Sequence, residues 1–68
     1  MDGKKRREEI VRILSEKSEQ GLPMAGTELA KQLQVSRQVI VQDIALLRAV
    51  NKNILSTNKG YLLFREQE

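Results

Sequence analysis

The apolar and polar positions of the chain are ordered most clearly between Ser36 and Asn51, SRQVIVQDIALLRAVN. On a helix advancing about 100° per residue, Ile40, Ile44 and Leu47 share one narrow stripe, the i, i+4, i+7 spacing of a face turned toward a core. Gln38, Gln42, Ala45 and Ala49 make up the opposite side, flanked by Val41 and Arg37. That side offers two amides, a guanidinium and small apolar surface, with no carboxylate. Two readings fit it. Gln amides pair with adenine N6 and N7, Arg with guanine O6 and N7, and small apolar groups touch a thymine methyl, so the face suits base edges in a DNA groove. A polar outer face is equally what any surface helix presents.

Upstream, Ile10, Val11, Ile13 and Leu14 predict a first helix over about residues 4–18, with Glu8 and Arg12 four apart and able to pair on its surface. Gln20-Gly21-Leu22-Pro23 breaks it, because Gly frees the backbone and Pro biases its predecessor away from helix. Leu22 and Met24 then predict a short extended segment that could pair with later strands. Helical spacing resumes from Gly26 to Gln34 through Leu29, Ala30 and Leu33. The start of this second helix is poorly marked, with Ala25 where a capping side chain is expected and Thr27 the nearest alternative.

Gln34-Val35 makes a tight turn, and Ser36 is a good N-cap for the third helix. Leu29, Ala30, Leu33, Val35, Ile40 and Ile44 match the hydrophobic template of a helix-turn-helix, in which a small residue permits a close helix crossing and an apolar residue plugs the turn. Gln34 departs from the Gly often found at the first turn position. Asn51 is placed to end the third helix in a left-handed conformation. Ile54-Leu55-Ser56 and Tyr61-Leu62-Leu63-Phe64 around Thr57-Asn58-Lys59-Gly60 predict a β-hairpin, a wing whose core takes Tyr61 and Phe64. Arg65 to Glu68 reads as a fraying end or the start of a linker. The fold class expected is therefore mainly α with a small β-wing: three helices and a C-terminal hairpin, one domain over residues 1–68 with an ordered core at about 5–64.

Composition narrows the chemistry. At 68 residues, 40% hydrophobic and 31% charged, the chain is one small globular domain. With no Cys and no His it lacks the usual nucleophile, general base and metal ligands, and it shows neither a Gly-rich phosphate loop nor paired carboxylates on one element. No catalytic residue, cofactor site or metal site is expected in it. No apolar run is long enough for a membrane span or a signal peptide, so a cytoplasmic location away from membranes is expected. Twelve Lys and Arg against nine Asp and Glu leave a net charge of +3, and distribution matters more than total. Between Lys31 and Arg65 the sole acid is Asp43, against the basic residues Lys31, Arg37, Arg48, Lys52 and Lys59. Lys4, Lys5, Arg6 and Arg7 form a second basic group, either a phosphate contact or a solvated, partly frayed helix start.

At Ser36 through Arg48, with Gly60-Tyr61 downstream, the sequence resembles the N-terminal winged-helix domain of the niacin-responsive transcriptional repressors of bacteria. More loosely, it resembles the DNA-binding domain of bifunctional biotin ligase/repressors. The resemblance covers roughly residues 6–64. Asn51-Lys52 stands where that family more often has Gly and an aromatic residue. The resemblance implies a repressor of nicotinate-salvage and NAD-synthesis genes that forms the N-terminal part of a longer regulator, with a separate C-terminal domain that holds a metal, senses niacin and dimerises. On this reading the partner is double-stranded DNA, bound as a homodimer on a two-fold symmetric operator. Arg37, Gln38, Val41 and Gln42 are the expected base contacts. Thr27, Ser36, Arg48, Lys59 and the Lys4, Lys5, Arg6, Arg7 run are expected on phosphates, with Ser56, Thr57 and Asn58 at the wing tip. Arg48 has an alternative role, complementing the helix dipole or bonding strand carbonyls. Other readings of the whole chain are a protein-interaction or dimerisation winged helix, and the regulatory domain of a biotin ligase.

Overall fold

A computed structural model describes residues 2–50 and 53–64. The expectations for Asn51 and for Arg65 to Glu68 lie outside the described residues. Three helices, α1 (Gly3–Glu19), α2 (Gly26–Leu33) and α3 (Arg37–Ala49), precede two antiparallel strands, β1 (Ile54–Thr57) and β2 (Gly60–Leu63). The Asp2 carboxylate starts α1 by accepting from the Lys5 N–H at 2.9 Å, satisfying a backbone donor that no intrahelical carbonyl reaches. Arg12 bonds Glu9 and Glu16. The Glu8–Arg12 pair expected from spacing is replaced by these two, which lie three and four residues away on either side of Arg12.

Both turns that bracket α2 use one device. After α1, Gly21 adopts φ 72°, its N–H bonds the Ser18 carbonyl at 2.9 Å, and the Leu22 N–H reaches Lys17 at the same distance. After α2, Gln34 adopts φ 58°, its N–H bonds Lys31 at 3.3 Å, and the Val35 N–H reaches Ala30 at 3.0 Å. These are the paired bonds that close a helix through a left-handed residue. Gln34 therefore occupies a conformation that costs a residue with a Cβ about 1–2 kcal/mol. The second helix begins at Gly26 after Ala25, with no side-chain cap.

The core is one cluster of ten buried residues drawn from every helix, the α1–α2 connection and the start of the wing: Ile10, Ile13, Leu14, Met24, Leu29, Ala30, Ile40, Ile44, Leu47 and Ile54. Val35 packs against it from the turn, as does Tyr61 from the wing. Phe64, expected in the wing core, is instead 53% exposed. It follows the last strand residue, where the backbone ladder continues through the bond from the Phe64 N–H to the Asn53 carbonyl, 2.8 Å, while the ring lies outward.

The wing registers Ile54 against Leu63 and Thr57 against Gly60, leaving Asn58 and Lys59 as a two-residue turn. The strands thus extend one residue further into the tip than the sequence pattern predicts. The extended segment around Met24 pairs with the wing as expected, with Met24 N–H to Tyr61 O at 2.9 Å and Tyr61 N–H to Met24 O at 2.8 Å. Ser18 adds a second tie, its hydroxyl accepting from the Leu63 N–H at 2.8 Å. Gly60 is required at this junction. Its φ is 141°, and a Cβ there would lie 2.5 Å from the Met24 carbonyl carbon and 2.7 Å from the Ala25 nitrogen, both backbone atoms.

Candidate nucleic-acid interface

The site is built around the first half of α3. Ser36 caps that helix by accepting from the Val39 N–H at 3.3 Å, and the stripe of Ile40, Ile44 and Leu47 is buried as predicted. Turning that stripe inward leaves Arg37, Gln38, Val41, Gln42 and Ala45 exposed. Val41 is 45% exposed, a large apolar side chain held in solvent in the middle of two amides.

Beside this face, the start of α2, the start of α3 and the wing tip enclose a shallow groove of about 220 Å³. Thr27, Arg37, Ser56, Thr57, Asn58 and Lys59 all line it. Residues from three separate stretches of sequence, each expected to touch DNA, thus meet at one place. The Thr57 hydroxyl is already engaged there. It donates to the Gly60 carbonyl at 2.7 Å and accepts from the Lys59 N–H at 3.2 Å, so it shapes the tip. The floor is close-fitting: a Cβ at Gly26 would stand 3.4 Å from Tyr61 Cε2 and 3.9 Å from Arg37 Nε. No carboxylate lines the groove, and among the described residues neither Arg37 nor Lys59 forms an ion pair.

The basic run at the start of α1 has a different setting. Asp43, on the inner side of α3, is 2% exposed. Arg6 grips it with two guanidinium nitrogens, Nε on Oδ2 and Nη2 on Oδ1 at 3.1 Å, and Arg7 Nη1 lies 3.4 Å from Oδ1. The hydrogen bond to Asp43 raises the Arg6 pKa above its ordinary value. Lys4 and Lys5 remain exposed at the same helix end. Arg48 adopts the strand-bonding role, its Nε donating to the Ile54 carbonyl at 3.2 Å and tying the end of α3 to the wing.

Asp43 is the structural neighbour of this face, a buried acid whose partners Arg6 and Arg7 lie far away in sequence. The signal was present: Asp43 falls between Ile40 and Leu47 at helical spacing, one position from Ile44, and is the sole acid from Lys31 to Arg65. An acid on an apolar stripe must find a cation, since burying an unpaired carboxylate costs far more than burying a paired one.

A tight helix–turn–helix unit followed by a hairpin that folds back on the α1–α2 connection defines a winged helix-turn-helix domain. The chain belongs to the HTH domain family, whose sequence profile matches residues 6–62, from early α1 into β2. It is 56% identical over 54 residues to the "Probable transcription repressor NiaR" of Thermotoga maritima, an alignment that covers 79% of this chain and 29% of that protein. It is 48% identical over 60 residues to the "Transcription repressor NadR" of Bacillus subtilis, covering 88% of this chain and 32% of the relative. The chain thus spans about a third of the length of the relatives it matches. Among the described residues no helix is long and apolar enough to cross a membrane.

Proposed function

We propose that this chain is the sequence-specific DNA-binding domain of a bacterial transcription repressor acting on genes of niacin and NAD metabolism, and that it works in the cytoplasm on the chromosome. The observation that carries the reading is the exposed face of α3, where Gln38, Val41 and Gln42 stand together without a carboxylate beside a groove lined by Arg37 and Lys59. With α3 in the major groove, Gln38 and Gln42 meet base edges and Val41 meets a thymine methyl, because the N-terminal half of a recognition helix penetrates deepest. The wing then lies along the sugar–phosphate backbone, where contacts orient the domain without reading sequence. The two transcription repressors that resemble the chain support the regulatory role.

So small an interface binds one half-site weakly. Two copies on a two-fold symmetric operator turn modest contacts into a tight complex, since the second half-site binds at high effective concentration. A metal or vitamin site, as the family resemblance implies, belongs to a separate C-terminal domain and uses none of the residues described above.

An NMR titration of the isotope-labelled chain with a random-sequence duplex tests the proposal at low salt and again at about 200 mM, a range over which phosphate contacts weaken steeply. The expected shifts fall on residues 36–48 and on the wing tip, and fade as salt rises. Leu46 and Val50, one helical turn apart and 52% and 65% exposed, favour a second reading as a protein-interaction surface. Shifts that follow protein concentration and ignore DNA would establish that reading in place of the first.

A further inference from the structure

Arg37 stands on the flank of α3 that adjoins the start of α2 and the wing tip. On sequence it belongs with Gln38 as a reader of bases. At about 100° per residue, however, Arg37 lies about 100° round the helix from Gln38 and about 140° from Gln42, and within about 20° of Arg48, eleven positions on, with Val41 at the border about 40° away. The flank shared by these two arginines faces the wing, since Arg48 Nε bonds the Ile54 carbonyl at 3.2 Å. The Arg37 side chain is drawn the same way, with its Nε 3.9 Å from where a Gly26 Cβ would stand, and it lines the groove with Lys59.

We infer that Arg37 and Lys59 form a two-sided clamp on one DNA backbone phosphate in this groove, so that Arg37 orients the domain and sequence is read by Gln38, Val41 and Gln42. Two cations, Arg37 and Lys59, share the lining of one groove that contains no carboxylate. An anion relieves that imbalance. A guanidinium and an ammonium supply donors that match phosphate oxygens. A base edge is a poorer occupant, because it offers no negative charge to two cations that lack an acid in the same lining. The inference rests on the DNA-binding proposal and refines it.

The test is sequencing of duplexes bound from a random-sequence pool by the wild-type chain and by Arg37→Ala, Arg37→Lys and Gln38→Ala, together with the salt dependence of affinity for the recovered consensus duplex. Circular dichroism establishes that each variant is folded, as expected for substitutions at exposed positions in the first turn of α3. Arg37→Ala should recover the wild-type consensus, bind it roughly tenfold more weakly, and show a log affinity against log salt slope shallower by about one. Arg37→Lys should restore the slope, because a point charge holds a phosphate but does not replace a bidentate contact to guanine. Gln38→Ala should lose preference at one position of the consensus with the slope unchanged. Loss of a base preference in Arg37→Ala, with the slope intact and no rescue by Arg37→Lys, would overturn the clamp while leaving the DNA proposal standing. Failure of the wild-type chain to bind any duplex would overturn the DNA proposal itself, and the clamp with it.

Discussion

Two pairs of cations in this molecule, Arg6 with Arg7 and Arg37 with Lys59, carry equal charge and have different surroundings. At the start of α1, Arg6 and Arg7 turn inward onto the buried Asp43 of α3, and their charge is spent in holding two helices together. Between the start of α3 and the wing tip, Arg37 and Lys59 line a groove with no acid in its lining. The difference lies in the carboxylate rather than in the cations. A buried acid converts neighbouring arginines into structural groups, because its desolvation is tolerable only when it is paired and hydrogen-bonded. Where no acid lies nearby, the same residue types are left without an internal counter-charge. Clusters of Lys and Arg therefore indicate nucleic-acid binding only after their internal partners have been subtracted.

Removing that carboxylate breaks the comparison at its strongest point. Asp43→Ala leaves Arg6 and Arg7 facing one another beside the core, and should cost about 3 kcal/mol of stability, which in a domain this small lowers the thermal midpoint by roughly 10–20 °C. Thermal unfolding followed by circular dichroism measures it. Asp43→Leu combined with Arg6→Met should recover most of the loss, since an apolar pair of similar volume avoids desolvating charge. No recovery in the double variant would mean that the ion pair specifies the α1–α3 geometry in a way that burial alone does not.

On the groove side, the wing wall depends on Gly60. Gly60→Ala drives a Cβ into the backbone of Met24 and Ala25 and should cost about 2 kcal/mol. Amide exchange should show it locally, with the Met24 and Tyr61 N–H groups losing protection before those of α1. A uniform loss across the domain would mean that the wing and the helices open as one unit.

The comparison predicts a contrast in DNA binding as well. Lys59→Ala should weaken specific and random duplexes alike, by roughly fivefold to tenfold, and make the salt slope shallower by about one. Arg7→Ala, which removes a charge already facing Asp43, should leave the slope unchanged. Equal slope changes in the two variants would erase the distinction between the groups. The smallest effect is expected at Gln34. Gly is at ease at φ 58°, so Gln34→Gly should raise stability by about 0.5 kcal/mol, after allowance for the greater freedom Gly has in the unfolded chain. Chemical denaturation resolves this if the slope of unfolding is unchanged.

Periodicity and turn chemistry carried most of the architecture. The buried stripe of Ile40, Ile44 and Leu47, the cap at Ser36, the break at Gly21-Leu22-Pro23, the wing, and the pairing of the Met24 segment with a later strand are all local patterns, and local patterns survive folding when neighbouring elements agree with them. The start of α2 at Gly26 was harder to place because Ala25 contributes no cap. The outward position of Gln38, Val41 and Gln42 was equally legible, since a face opposite a core stripe is necessarily outside.

The long charged side chains were not legible in the same way. Arg12 selects Glu9 and Glu16 over Glu8 by rotamer and reach, and spacing alone does not distinguish these acids. Arg6 meets Asp43 across 37 positions of sequence, and Arg37 comes to share a groove with Lys59 only once the wing has folded back. By itself the sequence determined which faces are apolar, where the chain turns, and which residues lie outside the core, because these follow from side-chain chemistry repeated at the period of the backbone. Tertiary structure decided which cations are held by an internal acid and which are not, because a charge is attracted by whatever carboxylate the fold brings within reach, regardless of its distance along the chain.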